Sequence, residues 1–143
     1  MKKLIMVCLL LVSSLYAKKA DQMKWRSILF NDTFYIQNVK NADLRYPMTS
    51  LNMNPEFKGE VLNKNERLSL IIYVSGEAGT SEIVREKRAI IFDKKLNKFL
   101  GDFPYQYSGK FKKKMPQPMW VIRHDLISIK DKQTGLDKTI LLK

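Results

Sequence analysis

Hydrophobic and polar residues alternate along most of this chain, and Asn, Asp, Gly and Pro break the alternation at short intervals. Period-two runs of four to eight residues between such punctuation predict β-strands. Trp25 to Phe30 and Thr33 to Val39 flank Asn31-Asp32, a pair suited to a tight hairpin turn. Residues 40–55 are rich in Asn, Pro and Met and show little periodicity. They are expected to form a long loop with short extended pieces, and long loops in compact domains often act as lids. Phe57 to Leu62 and Arg67 to Val74 form the next pair, joined through Asn63-Lys64-Asn65. Within it, Leu68 to Val74 places apolar residues on both faces, as a strand at the centre of a sandwich or barrel would. Gly76 and Gly79 mark Ser75 to Ser81 as a loop.

Glu82 to Phe92 reads two ways. Ser81 suits a helix cap, and Ile83, Val84, Lys87, Ile90 and Ile91 would then share a side. The β-rich end from Ala89 to Phe92, running into Asp93-Lys94-Lys95, favours a strand. Lys98 to Leu100 is its partner, and Tyr105 to Lys112 is extended after Pro104. Met119 to Lys130 reads as one strand, with a bulge where its phase drifts at His124-Asp125. Asp131 to Gly135 is a turn, and Leu136 to Leu142 the last strand. About nine strands linked by short hairpins predict an all-β, mainly antiparallel fold. The expected form is a small up-and-down β-barrel of eight or nine strands, with a β-sandwich as the alternative.

The start of the chain has a different character. Lys2 and Lys3 precede the apolar run Leu4 to Val12, and Ser13-Ser14-Leu15-Tyr16-Ala17 ends in a small residue. That is the layout of a secretory signal peptide, and its apolar run is shorter than the roughly 20 residues a membrane-spanning helix needs. Residues 1–17 are therefore expected to be removed, leaving 18–143 as a single exported domain, periplasmic or secreted. The only cysteine, Cys8, lies inside this segment, too early and without the small preceding residues of a lipid-attachment site. The mature domain would then have neither a disulfide nor a thiolate ligand, and would rely on packing.

Charge narrows the partners. The whole chain carries +12; without Lys2 and Lys3, 24 basic and 14 acidic side chains remain, a net charge near +10. Such a charge draws polyanions and anionic membrane surfaces. For an exported protein, anionic lipids or acidic glycans are better candidates than nucleic acid.

Catalytic chemistry finds little footing. There is one histidine, His124, beside Asp125; neighbours on a strand point to opposite faces, so they do not make a base and its orienting acid. One histidine and no mature cysteine fall short of a structural zinc site, and no D-x-D-x-D spacing suggests calcium. There is no nucleophile elbow and no HExxH, and Gly76-Glu77-Ala78-Gly79-Thr80 lacks the lysine of a phosphate loop. The reading is nonenzymatic, without cofactor or metal.

Two surfaces remain as candidates. Lys110, Lys112, Lys113 and Lys114 are the densest charge cluster, interleaved with Tyr107 and Phe111. It fits a polyanion or membrane contact, or else a strand edge guarded by lysine. Large aromatic residues occur in nearly every strand. They either fill a core or line a barrel wide enough for one small ligand. With Met48 and Met53 in the long loop as a lid, Tyr73, Phe92, Trp120 and Ile122 are the expected cavity walls.

Trp25 on the first strand and Arg123 near a late one resemble the lipocalin-type, or calycin, barrel. There a first-strand tryptophan closes one end and an arginine packs over it. The turn at Asp102 to Tyr105 faintly resembles the family's acidic turn, whereas Met23 stands where the family usually has glycine. The resemblance implies an eight-stranded barrel, closure by Trp25 and Arg123, and an apolar or amphipathic small molecule inside. The function expected first is therefore a nonenzymatic carrier or sensor of such a molecule. The alternative is a basic β-sandwich module that binds polyanionic envelope or host-surface partners.

Overall fold

The computed structural model describes residues 24–80, 83–110 and 114–143. The expected signal segment at 1–17, the helix-cap candidate Ser81 with the following Glu82, and Lys112 and Lys113 lie outside the described residues.

Ten strands make up the described fold: β1 (Trp25–Phe30), β2 (Thr33–Asn38), β3 (Arg45–Pro47), β4 (Glu56–Asn63), β5 (Leu68–Ala78), β6 (Val84–Asp93), β7 (Lys98–Gly109), β8 (Met119–Ile122), β9 (Leu126–Asp131) and β10 (Leu136–Leu141). All pairings are antiparallel, and the described residues form no helix. The ladders do not run round into a ring. They form three sheets, β1-β2-β3, β4-β5-β6-β7 and β10-β9-β8. The all-β antiparallel expectation holds, and the described strands form three separate sheets with no closed barrel among them.

The reason lies in β5 and β6. Leu68 to Gly76 is buried throughout, as are Ala89 to Asp93. Side chains alternate across a strand, so a strand buried at every position is covered on two faces. Ile71, Tyr73, Ile90 and Phe92 pack with Trp25, Ile36 and Met48 of the first sheet and its following loop. Leu68, Leu70, Ile72, Ala89 and Ile91 pack with Ile127 and Ile129 of the third. The four-stranded sheet is thus the middle layer. Complete burial of one Val, Leu, Ile, Phe or Met side chain contributes about 1.5–3 kcal/mol, and most buried members of both clusters are of these types.

Local chemistry accounts for most boundaries. Asn31 and Asp32 both have positive φ, 47° and 60°, which a two-residue hairpin turn of the twist-matched type requires. Short polar side chains tolerate that region better than any others except glycine. Of the stretch that read two ways, Val84 to Asp93 is a strand, β6, because its register pairs it on both sides. Three expectations are corrected. Gly76 lies inside β5, at a bulge between Val74 and Gly76, and not in a loop. Lys98 to Gly109 is one strand running through Pro104, which an edge strand accommodates because its outer side needs no N–H. Met119 to Lys130 is two strands, and His124-Asp125 is the turn between them, not a bulge.

Candidate functional site

The residues expected to wall one cavity do not meet. Tyr73 and Phe92 belong to the cluster under the first sheet, Trp120 and Ile122 to the cluster under the third, with the middle sheet between them. Phe92 packs edge-on to Trp25 at 4.9 Å between ring centroids and against Phe99 at 5.3 Å. Trp120 packs against Phe103 and Tyr105 and donates its indole N–H to the Pro104 carbonyl at 2.9 Å. Met48 is buried beneath the first sheet, but Met53 is exposed. Trp25 is buried in the first cluster, whereas Arg123 is an exposed residue between β8 and β9, on the far layer. It does not cover Trp25. A shallow cleft beside Pro116, Met119 and Leu136 opens to solvent at the rim of the third sheet.

Sequence reasoning missed a polar network beneath the 48–55 loop. Asp102, on β7, faces the first cluster across from Ile90. Its carboxylate accepts from the Tyr73 hydroxyl at 2.5 Å, from Thr49 Oγ1 at 3.0 Å and from Arg88 Nε at 3.1 Å. The Tyr73 oxygen in turn accepts from the Thr49 amide at 2.8 Å. Arg88 also reaches Glu86 at 2.9 Å, and Ser75 donates to the same Glu86 oxygen at 3.0 Å. Burial, then the Asp102 charge, pushes the Tyr73 phenol well above its ordinary value. Burial also raises the Asp102 carboxyl, against the pull of Arg88 and the donors around it. A phenol so raised keeps its proton, and each oxygen of Asp102 is already engaged. The network orients the loop over the sheet and offers no free reacting group. The only hint in the sequence was an isolated Asp in an otherwise apolar-facing strand.

Charge gathers at one end of the middle sheet. Arg67 binds the fully buried Asp93 through Nε at 2.9 Å and a terminal nitrogen at 2.7 Å, and reaches the Lys143 carbonyl at 2.9 Å. The Lys95 and Leu96 amides also donate to Asp93. Burial alone would raise the Asp93 carboxyl, but these donors hold it below the usual range. This knot fixes the β4–β5 turn, the β6–β7 turn and the chain end together. An open cleft on one side is lined by Lys64, Arg67, Arg123 and His124. A second, beside Trp25, is lined by Lys24 and Lys94. The Lys94 ammonium donates to the Asn65 carbonyl, which joins the two. His124 and Asp125, expected to diverge, stand 3.8 Å apart because they sit in a turn; both are exposed. Lys110 and Lys114 lie at the ends of an undescribed segment and are exposed.

Among the described residues, no group of three or more His, Cys, Asp or Glu is placed to hold a metal. No helix among them is long and apolar enough to cross a membrane. No family model, curated protein or solved structure matches the chain.

Proposed function

We propose that this protein is an exported, nonenzymatic binding module that engages a polyanionic partner through its basic surface. The observation that carries this reading is the middle sheet covered on both faces, which directs recognition outward. The large positive charge supplies the attraction, since a net charge of this size raises the local concentration of anions and speeds their encounter. The basic turn end, held rigid by Arg67 and Asp93, supports it further. The first expectation, a small apolar ligand within a closed barrel, would need Tyr73, Phe92, Trp120 and Ile122 on one wall. Their separation by a sheet takes that support away.

The experiment is retention of the purified full chain on immobilised heparin across a salt series. Retention is expected at low salt and loss beyond about 0.15 M, where screening shortens charge interactions to about 8 Å. No retention at low salt, together with a stoichiometric fatty acid-like species in a lipid extract, would replace this reading with the carrier.

A further inference from the structure

The outward face of the first sheet carries a second kind of arrangement. Register places Arg26, Gln37 and Arg45 in one row across β1, β2 and β3, and Ile28, Tyr35 and Pro47 in the next. The opposite face of these strands, with Trp25, Ile36 and Tyr46, is the one packed on the middle sheet. The row of arginines therefore looks to solvent. No residue of β1, β2 or β3 carries a carboxylate.

Arg45 is held in an unusual way. Its guanidinium carbon lies 4.7 Å from the Phe30 ring centroid and 5.1 Å from that of Tyr35. No hydrogen bond or ion pair is formed by its side chain among the described residues. Stacking on two rings fixes the plane of the group, while its fork of N–H donors stays unspent. Arg26 is fixed differently: Nε and a terminal nitrogen both donate to Gln37 Oε1, at 3.0 and 2.7 Å. Gln37 is itself buried and anchored through its amide to the Ala42 carbonyl at 3.0 Å. Two strand spacings separate the rows' ends, so the backbones bearing the two guanidinium groups are about 10 Å apart.

We propose that this face is a docking surface for an acidic polysaccharide, with Arg45 as the seat for a sugar carboxylate and Arg26 for the next anionic group along the chain. A planar, pre-positioned guanidinium binds carboxylate in a paired fashion with little ordering cost. A flat, open strand face suits a polymer lying across it. An anionic membrane fits less well. Electrostatic membrane docking uses four to eight basic groups at roughly 1 kcal/mol each, and the strands of this sheet carry two, Arg26 and Arg45. This inference rests on the polyanion reading and names its partner class and specific contact; the remaining positive charge supplies only long-range attraction.

The test is titration of the full chain with alginate oligosaccharides, neutral dextran and phosphatidylglycerol vesicles. Alginate should bind and dextran should not. Arg45→Gln should weaken alginate at least tenfold. Arg45→Lys, which keeps the charge but loses the plane, should weaken it severalfold, as should Phe30→Leu, which removes part of the seat. Lys138→Gln, on the exposed edge strand of the third sheet across the middle layer, should change alginate affinity less than threefold. Melting curves of the variants should match the parent, because Arg45 and Phe30 are exposed. Alginate affinity unchanged in both Arg45 variants would overturn this inference while leaving heparin retention intact. Vesicle binding lost in Arg45→Gln, with no alginate binding by the parent, would overturn it in favour of a lipid surface. Failure of the parent to bind heparin at low salt would remove the underlying reading itself.

Discussion

The hydroxyl of Tyr73 gives one hydrogen bond to Asp102 and takes one from the Thr49 amide, in a place closed to water. Its ring packs with Ile71, Ile90 and Phe92, so size and burial could be read from a run apolar on both faces. The partner could not, because Asp102 comes from a strand 29 residues away in sequence. Removing the hydroxyl leaves the Asp102 carboxylate and the Thr49 amide each short of a partner, and a buried group so stranded costs about 1–3 kcal/mol. Tyr73→Phe should therefore lower stability by about that amount in urea unfolding, although it preserves the ring. An unchanged midpoint would mean that the network does not hold the loop. Asn31 and Asp32 are the contrasting case. Their left-handed conformation follows from their own side chains, and the hairpin was legible without any knowledge of the rest.

At the scale of elements, the boundaries that moved did so where another element intervened. Gly76 signals a turn by itself, yet it continues β5 because the 50–53 loop lies against it. Leu51 donates its amide to the Ser75 carbonyl at 3.1 Å, and Asn52 pairs with both backbone groups of Glu77. A Cβ at Gly76 would come within 2.8 Å of Asn52 Oδ1 and 2.9 Å of Leu51 Cβ. Glycine in a strand interior often marks such a close approach of another segment. Gly76→Ala should displace the loop, cost about 1–3 kcal/mol as overpacking does, and speed protease cleavage near Met53. Equal cleavage rates for variant and parent would show that the loop is not seated there. Pro104 misled in the same manner: it marks the start of a strand unless that strand lies at a sheet edge, and only the sheet order places β7 there.

For the whole molecule, three buried carboxylates set the response to pH. Asp93 and Asp131 are pushed up by burial but held below the ordinary 3.8 by their donors, Arg67 for the first and the Tyr107 and Thr134 hydroxyls for the second. A folded value below the unfolded one means that their contribution is present above about pH 4 and is lost as pH falls through the folded values. Asp102 has the opposite sign. Its folded value lies above 3.8, so its ionisation weakens the fold as pH rises through that range. Urea midpoints should fall steeply below about pH 4 and decline slightly on going from there towards neutrality. The slight decline should vanish in Asp102→Asn while the acid loss remains. A parent equally stable at pH 2.5 and pH 6 would contradict the assignment of Asp93 and Asp131.

Strand character, the first hairpin, the doubly buried β5 and the excess of positive charge are properties of neighbouring residues, and the sequence by itself determined them. Alternation and turn chemistry act over a few residues and need no distant partner. The number of sheets, the placement of Tyr73 and Phe92 on one layer and Trp120 and Ile122 on another, and the alignment of Arg26 with Arg45 were decided only by the tertiary structure. Each depends on which strand pairs with which, and an apolar run covered on both faces is compatible with a barrel wall as well as with the middle of a stack. Contacts between residues far apart in sequence make that choice, and no local pattern contains them.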